Sequence, residues 1–210
     1  AGIMINEKTG ENAINIIPGA AGTITNKDIE NNLQFIKDSE IFLTQLETPY
    51  EATIHALKKA KETGSTTIFN PAPASKILEH DFELIDYFTP NETEASYYIE
   101  EKVETDEEIR NAGEVFLKKG IKNIIITLGS RGVYFANSNE NYFIESFKLK
   151  EQVVDTTGAG DAFNGAFAFA LSKNQTNKEA IVFANKVAGI STTKSGAAKS
   201  MPTIEEVENY

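Results

Sequence analysis

Short apolar runs rich in β-branched residues alternate along this chain with longer segments whose apolar residues recur every three to four positions. The runs at 41–44, 66–69, 87–89 and 123–127 predict β-strands. The segments 50–62 and 106–119 predict helices, and Gly64 and Gly120 stand close behind them, as glycines do at helix C-termini. Strands that alternate with helices predict an α/β fold with a mostly parallel sheet flanked by helices in three layers.

The pattern changes after Gly132. Two short strands at 133–136 and 142–146, joined by a polar turn at 137–141, predict a hairpin on the edge of the sheet. Helical periodicity returns at 159–171 and from 177 to about 193, while the opening residues 2–6 and 12–20 look like a further hairpin. Because no repeat or low-complexity linker interrupts the chain, we expect a single domain over residues 1–210.

The richest chemical signal is the stretch Asp-Thr-Thr-Gly-Ala-Gly-Asp-Ala-Phe-Asn-Gly at 155–165. Gly158 and Gly160 allow the backbone to approach an anion closely, and Ala159 lies between them. The first N–H groups of the following helix have no intrahelical partner and carry the positive end of its dipole. Together these groups predict a phosphate pocket.

Asp161 lies in the first turn of that helix, where its carboxylate could take a proton from a hydroxyl that attacks the bound phosphoryl group. The pattern therefore predicts phosphoryl transfer with Asp161 as the base. An ordinary helix that follows a glycine turn explains the same residues, and glycine-rich turns alone are weak evidence.

Composition narrows the partners of the protein. The 210 residues carry 20 basic and 31 acidic side chains, a net charge of −11, which argues against nucleic acid or an anionic membrane as a partner. Without cysteine the chain has no disulfide, thiolate nucleophile or cysteine zinc site. No apolar run reaches the roughly 20 residues of a membrane span. We expect a cytoplasmic protein.

Further polar motifs follow the predicted strands. Glu47, Asn70, the segment 91–94 and Gly129 each come directly after one of them. In open sheets with alternating helices, ligands bind beyond the carboxyl ends of the strands, so these residues are expected at one edge. Asn91 and Glu94 also have the spacing of a capping box, which could be their whole role.

The chain resembles the ribokinase (pfkB-type carbohydrate kinase) family. The stretch 155–165 matches its C-terminal signature almost letter for letter, and four more stretches match in the expected order: 45–47, 70–74, 89–95 and 126–132. The resemblance implies a ribokinase-like fold and an enzyme that uses ATP to phosphorylate an alcohol group, here D-ribose to D-ribose 5-phosphate.

The resemblance also implies roles for single residues. Asp161 would be the base and contact the sugar, with the anion hole formed by Gly158, Ala159 and Gly160, and Glu47 would bind a sugar hydroxyl. ATP would lie near Asn91, Thr127, Gly129, Gly132 and Asn185. Glu94 would position Mg²⁺ through water, which suits an ion that binds few carboxylates and keeps several waters.

A potassium site is implied next to the anion hole. Its surroundings would be Asp155, Thr157, Ser191, Lys194, Gly196 and Ser200. A cation there would fix the loop and strengthen the local positive field. Lys194 would contribute its carbonyl, with its ammonium turned to solvent, and an ordinary solvated loop would explain the same residues.

The resemblance leaves alternatives open. The motifs that ribokinases carry before this point are absent, so the chain looks like the C-terminal two-thirds of such an enzyme, and we expect that it does not phosphorylate ribose by itself. The alternatives are a fructokinase, deoxyribokinase or nucleoside kinase, or a non-catalytic nucleotide- or sugar-binding module. For the intact enzyme the resemblance implies a homodimer.

Overall fold

The computed structural model describes residues 2–5, 12–15 and 17–210, and two sheets lie within them. The smaller sheet is an antiparallel hairpin of β1 (Gly2–Ile5) and β2 (Asn12–Asn15). The larger sheet has six strands that lie side by side in chain order. They are β3 (Ile41–Thr44), β4 (Thr66–Phe69), β5 (Tyr87–Phe88), β6 (Asn123–Thr127), β7 (Val133–Asn137) and β8 (Asn141–Ile144).

The four strands from β3 to β6 are parallel, and β7 is antiparallel to β6. The helices between and after the strands are α1 (Asn26–Asn31), α2 (Leu33–Lys37), α3 (Tyr50–Thr63), α4 (Glu92–Ile99), α5 (Asp106–Lys118), α6 (Ala159–Ser172), α7 (Asn177–Ser191) and α8 (Ile204–Asn209). This mostly parallel sheet with helices between its strands confirms the predicted α/β class.

The described residues divide into two compact units. The larger unit comprises 18–128 and 133–143 and contains the sheet from β3 to β7 with α1 to α5. The smaller unit comprises the described residues of 1–17 together with 129–132 and 144–210, and it contains α6, α7 and α8. The single domain expected from the sequence stays a prediction.

Each unit has an apolar interior. In the larger unit the fully buried side chains of Phe69, Phe88 and Phe116 pack together, with ring centroids of neighbouring pairs 5.2–6.0 Å apart. In the smaller unit α6 packs on α7, and Phe167 and Ile181 are fully buried. Burying each large apolar side chain contributes about 1.5–3 kcal/mol, and this is the main stabilisation of these elements.

Most predicted boundaries are confirmed within two residues. The helix expected to reach about Thr193 ends at Ser191, because the hydroxyls of Thr192 and Thr193 bond the carbonyls of Gly189 and Ile190 at 2.7 and 2.8 Å. The edge hairpin is confirmed, but β8 stops at 144 instead of 146.

At the start of the chain, β1 and β2 confirm the first hairpin over the described residues, while positions 6 and 16 lie outside them. The expected extension of the second strand to 20 is wrong. A 3₁₀ turn occupies Gly19–Thr23, and Pro18, which has no N–H for a strand ladder, stands before it.

Asp86 links α3, β4 and β6 by its carboxylate, just before β5. Both of its oxygens accept hydrogen bonds from Lys61 at 2.8 Å, and Oδ1 also accepts one from Lys122 at 2.8 Å. The N–H and hydroxyl of Thr67 each donate to Oδ2 at 3.0 Å. Burial alone would raise the pKa of Asp86, but hydrogen bonds from Lys122 and Lys61 outweigh it and lower the pKa to about 2.

Replacing Asp86 with Asn should therefore cost on the order of 2 kcal/mol of unfolding free energy at pH 7, as the roughly two-unit difference in pKa implies. The folded pKa lies below the unfolded value of 3.8, so this stabilisation is complete above about pH 5 and disappears as the pH falls towards 2. Urea unfolding at pH 7 and pH 3 measures it, with the exposed Glu104→Gln as control. A deficit of the same size at both pH values would contradict the assigned linkage.

Candidate active site

The N-terminus of α6 is formed by the glycine turn of the signature stretch. Gly158 caps the helix with φ at +77°, in the left-handed region that favours glycine, and its carbonyl accepts the Ala162 N–H at 2.8 Å. A Cβ at Gly158 would lie only 3.3 Å from Met201 Cε and 3.4 Å from Ala197. Asp161 lies in the first turn and is exposed.

The carboxylate of Asp155 joins the turn before α6 to the loop after α7. Its Oδ1 accepts the Thr157 N–H at 2.9 Å, and its Oδ2 accepts the Gly196 N–H at 2.9 Å. The backbone N–H of Asp155 donates to the Thr192 carbonyl at 3.1 Å. Asp155 is only 2% exposed, so these bonds hold two loops together away from water.

The pKa of Asp155 lies below its usual value. Thr157, which lies beside the carboxylate, is the main cause, and the Gly196 N–H is the next. The Thr157 backbone N–H donates to this carboxylate, and the Thr157 hydroxyl lies beside it. Its Oγ1 is buried and has no hydrogen-bond partner among the described residues. A buried oxygen without a partner is costly unless a ligand or ion satisfies it.

The other residues of the implied potassium site lie at the end of α7 or in the segment that follows it. Gly196 contacts Asp155 directly, whereas the hydroxyls of Ser191 and Ser200 bond the nearby carbonyls of Ala188 and Ala197, both at 2.7 Å. These two hydroxyls are therefore already engaged.

The Lys194 ammonium lies at the solvent-exposed surface, where it forms an ion pair with Glu206 Oε1 at 2.5 Å. Glu206 is held for this contact because its other oxygen accepts the Thr203 N–H at 2.8 Å in the capping box of α8. Lys194 thus ties the loop after α7 to α8.

Gly132 and Asn185, both predicted near the nucleotide, lie beside the same segment, residues 144–146, at the end of β8. The Asn185 side chain donates to the Glu145 carbonyl at 2.8 Å. Gly132 has φ at +100°, and a Cβ there would overlap the Ile144 carbonyl oxygen and lie 2.6 Å from the Ser146 nitrogen. Gly129 accepts the Gly132 N–H at 3.1 Å, which closes the turn between them.

In the larger unit, Asn91 and Glu94 form the predicted capping box of α4. The Asn91 side chain accepts the Glu94 N–H and Glu94 Oε2 accepts the Asn91 N–H, both at 2.8 Å. Thr127 pairs with Asn91 through a parallel β-bridge, and its N–H donates to Pro90 at 3.0 Å. Burial raises the pKa of Glu94, and the hydrogen bond from Asn91 partly offsets this.

A hydrogen-bond chain across three strand ends was not predicted as a unit. Gln45 donates to the Asn70 side chain at 2.8 Å, and Asn70 donates to the Thr89 carbonyl at 2.7 Å. The chain fixes the loop in which the exposed Glu47 lies, directly after β3. The motifs 45–47, 70–74 and 89–95 already indicated this hydrogen-bond chain, because each places a polar side chain just beyond a strand.

The structure thus brings the predicted residues together in separate groups. Asp155, Thr157, Gly158 and Gly196 form one group in the smaller unit, and Gly132 with Asn185 forms another. Asn91, Glu94 and Thr127 are grouped in the larger unit, and no described contact joins Glu47 to them. Within residues 2–5, 12–15 and 17–210, no three His, Asp or Glu side chains cluster in a way that could hold a metal ion.

None of the helices in the described part of the chain is long and apolar enough to cross a membrane.

Comparisons with known proteins agree with this fold and these motifs. The sequence model of the pfkB family carbohydrate kinases matches residues 1–204. The ribokinase of Staphylococcus aureus (strain COL) is 41% identical over 199 residues, which are 94% of this chain and 65% of that protein. The chain belongs to the pfkB family of carbohydrate kinases.

Solved structures of ribokinases have the same fold. The ribokinase of Thermotoga maritima is 40% identical, with a TM-score of 0.86, covering 99% of this chain and 67% of that one. The ribokinase of Arabidopsis thaliana, solved with ribose and ATP, is 30% identical with a TM-score of 0.88 and the same coverage. The chain spans about two thirds of the length of the relatives that it matches.

Replacing Gly132 with Ala should destabilise the protein by roughly 3 kcal/mol or more, because the added Cβ meets backbone that cannot move aside and the residue has a positive φ. Gly129→Ala is the matched control. Gly129 also has a positive φ, +55°, but a Cβ there has open space, so about 1–2 kcal/mol is expected. Urea unfolding compares the two, and equal losses would show that the contact with 144–146 is unimportant.

Proposed function

We propose that this protein is the phosphoryl-transfer part of an ATP-dependent sugar kinase that converts D-ribose to D-ribose 5-phosphate. The observation that carries the proposal is the glycine turn that opens α6 with Asp161 in its first turn, within a chain of the pfkB family. The ribokinase relatives support ribose as the sugar.

In this proposal the start of α6 binds the transferred phosphoryl group. The first N–H groups of an α-helix lack intrahelical acceptors and carry partial positive charge. Gly158, Ala159 and Gly160 leave little side chain between this backbone and an anion. The Ala159 N–H also bonds the Thr156 carbonyl at 3.2 Å. Because the donors are fixed before the reaction, they stabilise the charge that develops on the phosphoryl oxygens without rearranging.

Asp161 acts as the base. It accepts the proton of the sugar 5-hydroxyl while the hydroxyl oxygen bonds to the γ-phosphorus, and the bond from that phosphorus to the β,γ-bridging oxygen breaks to release ADP. The carboxylate is exposed at the helix start, where a bound sugar could reach it. Glu47 binds another sugar hydroxyl.

Magnesium fits the residues present because Mg²⁺ is commonly bound by one or two carboxylates together with substrate phosphates and water. When bound, it neutralises charge on the ATP phosphates. Glu94 is the carboxylate we assign to it, since the capping box with Asn91 fixes one of its oxygens and hence its orientation. Asn91, Thr127, Gly129, Gly132 and Asn185 are assigned to ATP.

A potassium ion also fits the loop held by Asp155. The unpartnered Oγ1 of Thr157 is a hard oxygen ligand in a buried position, and a carboxylate with a lowered pKa stands beside it. The remaining ligands that we propose are the backbone carbonyls of Ser191, Lys194, Gly196 and Ser200. A cation here would strengthen the positive field at the start of α6.

The assembly and location of the enzyme follow from the same proposal. We infer a cytoplasmic homodimer, as the family resemblance implies. A non-catalytic binding module has less support, because such a module has no need of a carboxylate in the first turn of α6 beside both glycines.

Replacing Asp161 with Asn should lower kcat for ribose phosphorylation by about 10²- to 10⁴-fold, because the change keeps the shape and removes the base. The KM for ATP should change little. The assay uses this chain joined to the parts of its relatives that lie outside the matched region. Asp106→Asn, which alters another carboxylate in the first turn of a helix, is the control. A variant that keeps more than half of the wild-type turnover would contradict the role of Asp161.

Potassium should activate the same enzyme, and sodium much less. The proposed site is built of carbonyls, a hydroxyl and one carboxylate, a donor set for a large cation with a loose coordination shell. Rates are compared in potassium, sodium and tetramethylammonium chloride at equal ionic strength. Equal rates in all three salts would remove the cation from the proposal.

A further inference from the structure

A cavity lies in the larger unit, and none of the residues assigned to catalysis lines it. Its volume is about 600 Å³, within the range of small-molecule sites. One face of α3 provides Tyr50, Ile54 and Lys58, which are spaced by four residues along the helix, and the chain at 76–81 provides the opposite side. Ile54 and Leu78 give it an apolar surface.

Asp81 is the most informative residue of this cavity. Its side chain is only 2% exposed, and Oδ2 accepts a hydrogen bond from the Tyr50 hydroxyl at 2.6 Å. Its other oxygen, Oδ1, is buried and has no hydrogen-bond partner among the described residues. A buried carboxylate oxygen without a donor is costly, so it favours a ligand that brings an O–H or N–H group.

The Tyr50 hydroxyl also orients this carboxylate. It accepts the Leu78 N–H at 2.8 Å while it donates to Asp81. Burial and the bond to Asp81 raise the pKa of Tyr50 to about 12, so the hydroxyl keeps its proton. Since Oδ2 is satisfied, Oδ1 is the carboxylate oxygen that is left without a hydrogen bond.

Basic groups surround the opening of the same cavity. Lys58 Nζ and His80 Nε2 lie 3.7 and 3.5 Å from Asp81 Oδ1, too far for a good hydrogen bond, and Lys76 and His55 also line the cavity. Glu51 is the second carboxylate of the lining. Both histidines of the chain and two of its lysines line the cavity, and His55 Nε2 is bonded to Glu30 Oε1 at 2.7 Å.

We propose that this cavity binds a phosphate monoester of a polyol. A ligand hydroxyl donates to Asp81 Oδ1, and the phosphate group accepts from Lys58, Lys76 and His80. A simple anion would be repelled by Asp81 and would leave Oδ1 without a donor, whereas a neutral polyol would make no use of the positive charge of Lys58 and Lys76. A ligand with both groups satisfies the two halves of the cavity.

This inference does not depend on the proposed kinase function. All residues of the cavity belong to the larger unit, and the ligand chosen for the test, glycerol 3-phosphate, is neither substrate nor product of the proposed reaction. Failure of either proposal therefore leaves the other unaffected.

The two histidines give a site-specific signal, because the chain has no others and both line the cavity. The ring C–H resonances of His55 and His80 are followed by NMR in the 210-residue chain during titration with glycerol 3-phosphate, inorganic phosphate or glycerol. Saturable shifts of both rings by glycerol 3-phosphate are expected. Inorganic phosphate should bind about tenfold more weakly, the loss expected for one hydrogen bond to a charged group.

The double variant K58A/K76A should weaken glycerol 3-phosphate binding at least tenfold. K102A/K118A, which removes two exposed lysines elsewhere, should leave it unchanged. Asp81→Asn should abolish the preference for glycerol 3-phosphate over inorganic phosphate and strengthen the binding of inorganic phosphate, because a negative charge is removed.

Absence of saturable shifts in the wild-type chain would overturn the proposal. So would equal binding of glycerol 3-phosphate by wild type and K58A/K76A, or a preference over inorganic phosphate that survives in Asp81→Asn. If Asp81→Asn does not fold, the lysine variants decide the question, since both lysines are on the surface.

Discussion

The carboxylate of Asp155 is the contact on which the candidate active site depends. One oxygen receives the N–H of Thr157 and the other that of Gly196, so a single buried side chain joins two loops that lie 41 positions apart in the chain. The glycine turn that starts α6 follows directly. If this carboxylate were lost, the N–H groups of Thr157 and Gly196 would lack this acceptor, and the helix start would no longer be fixed in position.

The acidic character of the chain does not conflict with binding of a phosphate group. A net charge of −11 governs long-range attraction, which ionic strength screens over about 10 Å, whereas the proposed pocket acts at contact distance through N–H groups and a helix dipole. Backbone donors require no basic side chain. The site is therefore compatible with a chain of strongly negative net charge.

The spacing of apolar residues and the positions of turn residues are local signals. They made the α/β order, the helices and the capping box of Asn91 and Glu94 predictable. The pairing of Asp155 with Gly196, the contact of Asn185 with Glu145 and the ion pair of Lys194 with Glu206 were not predictable from local pattern. Each joins residues far apart or depends on where a helix ends. The early end of α7 likewise depends on threonine hydroxyls that compete for helix carbonyls.

Binding of the ATP phosphate groups at the start of α6 can be followed by NMR through the backbone amide resonances of Gly158, Ala159 and Gly160. The 210-residue chain is titrated with millimolar ATP and Mg²⁺, and in parallel with adenosine, which has no phosphate. We expect saturable shifts of these three amides with ATP and none with adenosine. Saturable shifts elsewhere in the chain, with these amides unchanged, would contradict this expectation.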